Sequence, residues 1–429
     1  MTSQLPVPNW TQEYIAANDF PIDIVSSDAR GRYAIAARDI REGEVVLRAQ
    51  GYAAVCTQVC RKEVCSGCFQ AYSLGVLGLK CDACSMAFYC TLECREKSFD
   101  LHSRFECTFM SQIAGMAAGK AFDKAIADID AALGVQESGA ASYRRMQDLE
   151  RTGVQSLVRW LLGVCVRGLI EEGGLIPTAG ALPTYNAVLE LVPNENCLPQ
   201  DERLKLEGLY IFFSNLSSKP AKRSRKKADA SPTTTLKSLS QFMASTMTPV
   251  QVSFSELFTA RFPQPIDFIR IICIRQCNVF GLWDAESECL GQSFFPAASY
   301  FNHSCDKNLY FDQTMKLVPS SEANKQNPSE QDLAREMESM DLNSVKLEDD
   351  VEASNTRVFA ALQRMPVLVF QAKRDISKGE ALTHCYVDQS LEREERRAAL
   401  KEEYYFDCDC DRCIREDNQT GDDGSVDGK

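Results

Sequence analysis

Closely spaced cysteines between residues 65 and 107 constrain the fold of this chain more than any other feature. They occur in pairs and are followed by one histidine and a last cysteine: Cys65 and Cys68, Cys81 and Cys84, Cys90 and Cys94, His102, Cys107. Two thiolates separated by two residues can bind one tetrahedral Zn²⁺, and eight ligands supply two closed structural sites. Because so short a segment buries little apolar surface, metal binding would contribute much of its folding free energy.

The 19 cysteines of the chain are better explained by metal binding than by disulfides. No N-terminal run has the basic-then-apolar order of a secretory signal, and no stretch approaches the roughly 20 apolar residues that span a bilayer. We therefore expect no membrane association and a location in the nucleus, the cytoplasm or both, where thiols stay reduced. The formal net charge of −13 argues against broad nucleic-acid binding and is compatible with a basic peptide partner.

Three more thiolates lie near the C-terminus, at Cys408, Cys410 and Cys413. They follow a charged segment, residues 391–404, whose pattern predicts a helix. Tetrahedral zinc needs a fourth ligand, and no cysteine or histidine comes after these three. The fourth ligand must therefore come from elsewhere in the chain.

Two short polar motifs are candidates for binding small molecules. Asn302-His303-Ser304-Cys305 places an amide, an imidazole and a thiol within four positions, directly after an apolar run. By itself this motif is typical of a loop end with satisfied polar groups. Arg30-Gly31-Arg32 puts two guanidinium groups beside a glycine, a pattern of solvated turns that can also hold a carboxylate.

The apolar patterns predict a β-rich fold that is interrupted by insertions. Residues 35–47 are typical of a strand, a turn at Glu42-Gly43 and a second strand, and residues 374–380 repeat the pattern Arg-Asp-Ile-x-x-Gly-Glu of residues 38–44. The repeat predicts two hairpins of one design at opposite ends of the chain. The run of residues 268–274 is rich in β-branched side chains and predicts a buried strand.

The segments between these strands predict helices and exposed linkers. Residues 109–175 are expected to be helical, with an Ala-rich pattern over 120–133 and an amphipathic pattern through Leu157, Leu161, Leu162 and Val166. Residues 219–227 form a basic stretch in a Ser/Pro/Ala-rich linker, which is either a solvated loop or a nuclear-import patch. Residues 319–355 are polar and acidic, and predict an exposed insertion with a transient helix over 333–340.

Together these features resemble the SET and MYND domain family of protein lysine methyltransferases, in its shorter, fungal-like form. The resemblance covers nearly the whole chain, and its motifs occur in the family's order: Arg30-Gly31-Arg32, the zinc segment from Cys65 to Cys107, Asn302-His303-Ser304-Cys305, Cys385-Tyr386, Tyr404-Tyr405-Phe406, and Cys408, Cys410 and Cys413. The fold it implies is α+β: a β-rich SET domain split by a MYND-type zinc finger and a helical insert, with a C-terminal zinc-binding post-SET segment.

The resemblance implies methyl transfer from S-adenosylmethionine to the ε-amine of a lysine in a histone or other protein. Tyr386 and Tyr404 would then be catalytic, Tyr386 orienting the amine and Tyr404 lining the lysine channel. The cofactor-binding residues it implies are Arg30, Gly31, Arg32, Asn278, Asn302, His303, Tyr386 and Phe406. In this sequence Gly31 is followed by Arg32 and Tyr33, where the family usually has a small residue.

The resemblance also implies three zinc ions and their ligands. In the MYND-like segment the cross-brace pattern assigns Cys65, Cys68, Cys90 and Cys94 to one zinc, and Cys81, Cys84, His102 and Cys107 to the other. Cys305 becomes the fourth ligand of the zinc bound by Cys408, Cys410 and Cys413. The last MYND pair, His102 and Cys107, is separated by one residue more than is usual in the family.

The predicted domain boundaries follow from these assignments. The N-terminal part of the SET domain occupies residues 20–60, the MYND finger 61–107, and the helical insert 108–267 with its basic linker near 217–235. The C-terminal SET core spans 268–390 with the acidic insertion near 319–356, followed by the post-SET segment (391–416) and a disordered tail (417–429).

Two other functions remain open at the sequence level. The first is a SET scaffold with weak or no catalysis, in which the MYND surface binds Pro-rich peptides in transcriptional regulation. The second is direct DNA binding by the zinc segment, which is disfavoured because its basic residues are scattered and the chain is acidic. Whatever the function, the protein is expected to be a monomer.

Overall fold

The structure, a computed structural model, describes residues 9–72, 77–116, 140–176, 182–215, 252–284, 288–313, 317–318 and 351–422. Its strands are β1 (Ile22–Ser27), β2 (Gly31–Ala36), β3 (Val45–Gln50), β4 (Tyr52–Cys56), β5 (Ala71–Tyr72), β6 (Leu79–Lys80), β7 (Phe88–Tyr89), β8 (Val279–Trp283), β9 (Cys289–Phe294), β10 (Asn302–His303), β11 (Leu309–Gln313), β12 (Leu317–Val318), β13 (Val367–Ala372) and β14 (Thr383–His384). Its helices are α1 (Asn9–Ala17), α2 (Leu92–Lys97), α3 (Phe99–Leu101), α4 (Cys107–Met116), α5 (Ala140–Glu172), α6 (Tyr185–Leu189), α7 (Gln200–Ser214), α8 (Phe254–Arg261), α9 (Pro265–Asn278), α10 (Val351–Leu362), α11 (Arg393–Tyr404) and α12 (Asp411–Asp422). The predicted α+β class is confirmed.

Two three-stranded antiparallel sheets form the β-rich core, in the orders β11-β13-β3 and β4-β9-β8. Inward side chains alternate along the strands, so that Leu47, Leu368 and Phe370 are fully buried. The chain passes from β3 to β4 at Gly51, where an added Cβ would lie 2.9 Å from the carbonyl oxygen of Pro366. A larger residue there would push the two sheets apart.

The two Arg-Asp-Ile-x-x-Gly-Glu segments pair with each other instead of forming two separate hairpins. Ile40 N–H donates to the carbonyl of Ile376 at 2.9 Å, and Ile376 N–H donates back at 2.8 Å. The Asp39 carboxylate accepts from the backbone N–H of Lys378 at 2.8 Å. Strand β2 pairs with β1, and β3 pairs with β13. The hairpin prediction is therefore wrong, because the partners of these segments are remote in sequence.

The predicted strand over residues 268–274 is also wrong, since this run lies inside helix α9. Pro265 occupies the first turn, and Gln264 and Asp267 form a capping box. Five of the apolar side chains are buried at helical spacing: Phe268, Ile269, Ile271, Cys273, Ile274. Tertiary burial outweighs the modest helix penalty of β-branched side chains. The predicted boundary between residues 267 and 268 falls within this helix.

Helix α5 is the centre of the helical insert and packs on β4. The predicted amphipathic stripe is confirmed, because Leu161, Leu162 and Val166 are buried and Leu157 packs against them. Residues 153–172 of this helix are long and apolar enough to cross a membrane, but 67% of the apolar window is buried inside the protein. Within the described residues, this helix therefore behaves as a core helix. The predicted helix over 120–133 and the basic linker lie outside the described residues.

Helix α10 corrects the predicted extent of the acidic insertion. Residues 351–356, expected to be exposed, begin this helix, and Ser354 is fully buried. Arg104 donates to Ser354 Oγ at 2.8 Å and to Asn355 Oδ1 at 3.1 Å, while Arg357 pairs with Asp100. The helix thus joins the zinc segment to β13. The predicted helix over 333–340 lies outside the described residues.

The C-terminal segment is more ordered than predicted. Helix α12 continues to Asp422, so residues 417–422 of the predicted disordered tail are helical. Asp417 pairs with Arg393 on α11, which ties the two helices together. The charged segment predicted to be helical is confirmed as α11.

Candidate active site and metal centres

The first cysteine cluster of the zinc segment contains Cys65, Cys68, Cys90 and Cys94, whose sulfurs all lie within 4.8 Å of one another. Cys90 Sγ is 3.4 Å from Cys94 Sγ and 3.8 Å from Cys68 Sγ. A disulfide needs about 2.05 Å, whereas thiolates at 2.3 Å from a tetrahedral zinc lie about 3.8 Å apart. The backbone N–H groups of Gly67 and Cys90 donate to Cys65 Sγ at 3.4 Å each. This cluster fits one zinc ion.

The second cluster has the long His102-to-Cys107 spacing, and a π-helical turn accommodates it. Residues 102–106 form this turn, in which Cys107 N–H donates to the carbonyl of His102. Such a turn closes over five residues instead of four, so the extra residue leaves both side chains on one face. His102 Nε2 lies 3.4 Å from Cys84 Sγ, and its Nδ1 lies 3.2 Å from Glu106 Oε2. The ligand atoms of the second cluster, which belong to Cys81, Cys84, His102 and Cys107, all lie within 4.8 Å of one another.

The third cluster joins Cys305 to the three C-terminal thiolates. Cys305 Sγ lies 3.6 Å from Cys413 Sγ and 4.0 Å from Cys408 Sγ, and Cys410 completes the group. The spacings again fit tetrahedral zinc. The described part of the chain therefore supplies three candidate sites for zinc, and the three ligand groups implied by the resemblance lie together.

The candidate catalytic tyrosines meet beside this third cluster. The ring centroids of Tyr386 and Tyr404 are 4.9 Å apart, and those of His303 and Phe406 are 5.9 Å apart. Tyr386 Oη donates to the carbonyl of Phe301 at 2.9 Å. Burial raises the pKa of Tyr386 and raises the pKa of Tyr404 to about 12. Both hydroxyls therefore stay protonated at neutral pH.

His303 connects the tyrosines to the metal cluster. Its Nδ1 accepts a hydrogen bond from the backbone N–H of Tyr386 at 3.1 Å, and its Nε2 lies 3.3 Å from Cys305 Sγ. Because Nδ1 accepts, the proton of the neutral ring is on Nε2 and is donated to the sulfur. Burial lowers the pKa of His303 to about 4, which keeps the ring neutral.

The Arg30-Gly31-Arg32 turn lies against residues 302–305, which comprise β10 and the two residues after it and are called the Asn302 loop below. Asn302 Nδ2 donates to the carbonyl of Arg30 at 3.0 Å, so Arg30 makes this contact with its backbone. The guanidinium of Arg32 lies 5.5 Å from the centre of the Tyr300 ring and donates to the carbonyl of Glu190. Gly31 has φ of +61°, and an added Cβ would meet no atom within 4 Å. The turn thus has open space beside it.

Asn278 and Tyr33 lie at the margins of this group. Asn278 ends helix α9, and its Nδ2 donates to the carbonyls of Val192 and Ile274 at 2.9 Å each. Val192 belongs to the loop whose Glu190 carbonyl binds Arg32. Tyr33 projects to the opposite face of β2 from Arg32, because strand side chains alternate.

Comparison with known proteins identifies the family. The sequence model of the SET domain matches residues 31–387, which is most of the chain. The chain belongs to the SET domain family. The two paired Arg-Asp-Ile segments and the Asn302 loop therefore lie in the SET domain, and the zinc segment between them is an insertion in it.

Three relatives are similar over most of the chain. A SET and MYND domain-containing protein of Dictyostelium discoideum is 25% identical over 423 residues, which cover 95% of this chain and 83% of that protein. The Homo sapiens histone-lysine N-methyltransferase SMYD3 is 24% identical over 389 residues, covering 90% and 60%. The Arabidopsis thaliana histone-lysine N-methyltransferase ASHR1 is 21% identical over 386 residues, covering 90% and 53%. The chain spans little more than half the length of the last two.

The residues of this SET domain fit S-adenosylmethionine in their chemistry. The exposed Arg30 guanidinium suits a carboxylate, and the half-buried Phe406 ring beside His303 suits a flat heterocycle. The buried Tyr300 ring lies under the Arg32 guanidinium and supports the turn from below.

Sequence reasoning missed several residues of the site. Arg396 contacts two thiolates of the third cluster, Glu190 and Val192 bridge Arg32 to Asn278, and His384 packs against Tyr386. Glu190 and Val192 carry no motif, and Arg396 stands in a run of charged residues where nothing distinguishes it. A histidine within an apolar stretch was the only sequence signal for His384.

Proposed function

We propose that this protein transfers a methyl group from S-adenosylmethionine to the ε-amine of a lysine in a histone or another protein. The observation that carries the proposal is the cluster of Tyr386, Tyr404, His303 and Phe406 held against the third zinc site. Membership of the SET domain family and relatives named as histone-lysine methyltransferases support it.

The cofactor is bound by the Arg30–Arg32 turn, Asn278, Asn302, the backbone of His303, Tyr386 and Phe406. His303 uses its backbone because both of its ring nitrogens have partners within the protein. Arg30 and Gly31 lie on the exposed side of the turn, and Asn302 is fixed against it by its own hydrogen bond. When bound, S-adenosylmethionine supplies a methyl group attached to a positively charged sulfur. Arg32 has other contacts with Tyr300 and Glu190, and it sets the shape of the turn.

The two tyrosines orient the lysine. Tyr386 Oη donates to Phe301, so the lone pairs of its oxygen are left to accept a hydrogen bond from the amine. Tyr404 packs 4.9 Å away, between ring centroids, and forms a wall of the channel. In-line transfer needs an aligned amine more than a strong protein nucleophile, so positioning can supply much of the rate enhancement.

The amine must lose a proton before it reacts. A lysine with an ordinary pKa of about 10.4 is charged at pH 7, and an aromatic, desolvated channel lowers that pKa. The two tyrosine hydroxyls do not take the proton, because burial raises the pKa of both. The proton leaves to solvent as the charged amine enters the channel.

Calorimetry and labelled methyl transfer test this function. We expect S-adenosylmethionine to bind at or below ~1 mM and label to appear on a lysine of a histone or other protein in a protein array. Tyr386→Phe should lower turnover about 100-fold with nearly unchanged cofactor affinity. Tyr310→Phe, on an exposed tyrosine of β11, is the matched control. Absence of cofactor binding at ~1 mM would refute the proposal.

We propose that the zinc segment also binds an extended Pro-containing peptide. Phe99 on α3 is 59% exposed and offers an aromatic surface on the zinc segment to such a peptide. Phe99→Ala should abolish peptide capture without changing zinc content, whereas Val192→Ala, at an exposed apolar residue on a different loop, should not. Equal capture by both variants would contradict this role.

The remaining expectations are also proposals. We propose that the protein works as a monomer in the nucleus, the cytoplasm or both, and that it does not bind nucleic acid directly. The net charge of −13 supports the last point. Sedimentation tests whether the protein is a monomer, and fluorescence localisation of the tagged full chain tests where it is located.

A further inference from the structure

Arg396 is a buried cation placed between two thiolates of the third zinc site. Its side chain is 1% exposed. Its Nε donates to Cys305 Sγ at 3.4 Å, and its Nη2 lies 3.9 Å from Cys413 Sγ. Nη1 donates to the carbonyl of Leu391 at 2.7 Å, and the guanidinium also pairs with Glu416. The guanidinium is thus bound on three sides.

The charge of this site explains why a cation is buried there. Four thiolates around one Zn²⁺ carry a net charge of −2, and an uncompensated buried charge is costly. A guanidinium offers several donors in a fixed plane, so it can bind sulfur and carboxylate at the same time. Hydrogen bonds to metal ligands fix their orientation and affect metal affinity. Arg396 supplies such bonds from helix α11.

The same sulfur is linked to the candidate catalytic tyrosine. His303 Nε2 lies 3.3 Å from Cys305 Sγ, and His303 Nδ1 accepts from the backbone N–H of Tyr386 at 3.1 Å. The guanidinium of Arg396, the Cys305 sulfur, the His303 ring and the Tyr386 amide therefore form one continuous series of polar contacts. Helix α11, which carries Arg396, ends at Tyr404.

We propose that Arg396 and His303 are positioning residues that couple occupancy of the third zinc site to the placement of Tyr386. Arg396 neutralises and orients the Cys305 thiolate, and His303 transmits that orientation to the Tyr386 backbone. The turnover part of this inference rests on the proposed methyl transfer, whereas the zinc part does not.

Zinc release from the full chain tests the role of Arg396. Each variant, loaded with three zinc ions, is mixed with a chelator and a metallochromic indicator. In Arg396→Met we expect one of the three ions to leave at least about tenfold faster than in the wild type, while the other two are unchanged. Arg396→Lys keeps the positive charge and should release zinc at an intermediate rate. If Arg396→Met does not fold, the rate for Arg396→Lys tests the role of Arg396 by itself.

Arg397→Met is the matched control, because Arg397 is the next residue on α11, is 37% exposed and pairs only loosely with Asp417 at 3.7 Å. Its zinc release should stay within about twofold of the wild type. If Arg396→Met and Arg396→Lys both release zinc at the wild-type rate, the role of Arg396 is refuted.

His303→Ala tests the coupling to Tyr386. We expect kcat to fall about tenfold or more, the calorimetric Kd for S-adenosylmethionine to change less than about threefold, and one zinc to leave faster. His303→Gln retains an N–H donor for the Cys305 sulfur, so it should release zinc more slowly than His303→Ala. A Kd that weakens tenfold with unchanged kcat and zinc release would show that His303 only contacts the cofactor, and would overturn the coupling. If the wild-type protein shows no turnover, the proposed methyl transfer is refuted. The rates of zinc release still test the role of Arg396 in that case.

Discussion

Two histidines that are neighbours across the parallel β10–β14 pair have different environments. His303 faces His384 in the register, but His303 has hydrogen-bond partners on both ring nitrogens, whereas Nδ1 of the buried His384 has none. His384 stacks on Phe280 at 5.5 Å and lies 4.8 Å from Tyr386, between ring centroids. Burial lowers the pKa of His384 to about 3. This ring therefore acts as an apolar support for Tyr386.

Replacing His384 should flatten the pH dependence of stability. The folded-state pKa lies below the unfolded value of 6.5, so the unfolded state binds the proton first as pH falls. Stability from this group is complete above pH 6.5 and is lost progressively towards pH 3. Between pH 7.5 and 5 the wild type should lose about 2 kcal/mol more than His384→Leu. Urea titrations at both pH values measure the difference, and identical losses would contradict the assignment.

Two elements show how far local pattern predicts structure. The spacing of His102 and Cys107 is one residue longer than usual, and a π-helical turn absorbs the difference, so both side chains lie in the second cluster. Residues 268–274 have the composition of a strand, yet the capping box at Gln264 and burial among other helices make them helical. Composition describes one residue at a time, whereas packing decides between helix and strand for a short apolar run.

Helix α10 should stabilise the zinc segment through Arg104. Arg104 is 3% exposed, and its substitution by Met leaves the buried Ser354 hydroxyl without this donor. We expect a loss of about 2 kcal/mol in the free energy of unfolding, measured by urea titration with zinc present. Lys97→Met, which removes an exposed pair with Glu93, should cost less than about 0.5 kcal/mol. Equal effects of the two substitutions would argue against a stabilising interface.

At the scale of the whole molecule, the third zinc site joins parts of the chain that are remote in sequence. Cys305 follows β10 in the SET core, while Cys408 and Cys413 lie beyond helix α11. The site thereby holds Tyr404 and Phe406 against Tyr386. Loss of this metal should disturb the candidate active site without affecting the two zinc ions of the MYND-like segment.

Cys305→Ser should lower the zinc content from three ions to two. Serine is a poor zinc ligand, and three thiolates bind more weakly than four. Elemental analysis of the dialysed protein measures the change, and methyl transfer should fall with it. Cys197→Ser, at an exposed cysteine outside the three clusters, should keep all three ions. Three ions retained in Cys305→Ser would break the link between the Asn302 loop and the C-terminal cluster.

The sequence by itself predicted a β-rich fold with insertions and the candidate metal ligands, because motifs and ligand pairs are local properties of the chain. The resemblance carried by the order of these motifs implied the family, the α+β class and the division of the ligands into three sets. Only the tertiary structure distinguished Arg396 from Arg397, paired the two Arg-Asp-Ile segments and turned residues 268–274 into a helix. The contact of Arg396 with Cys305 joins residues 91 positions apart, and the two Arg-Asp-Ile segments lie at opposite ends of the SET domain. No local pattern encodes which remote surface a side chain will meet.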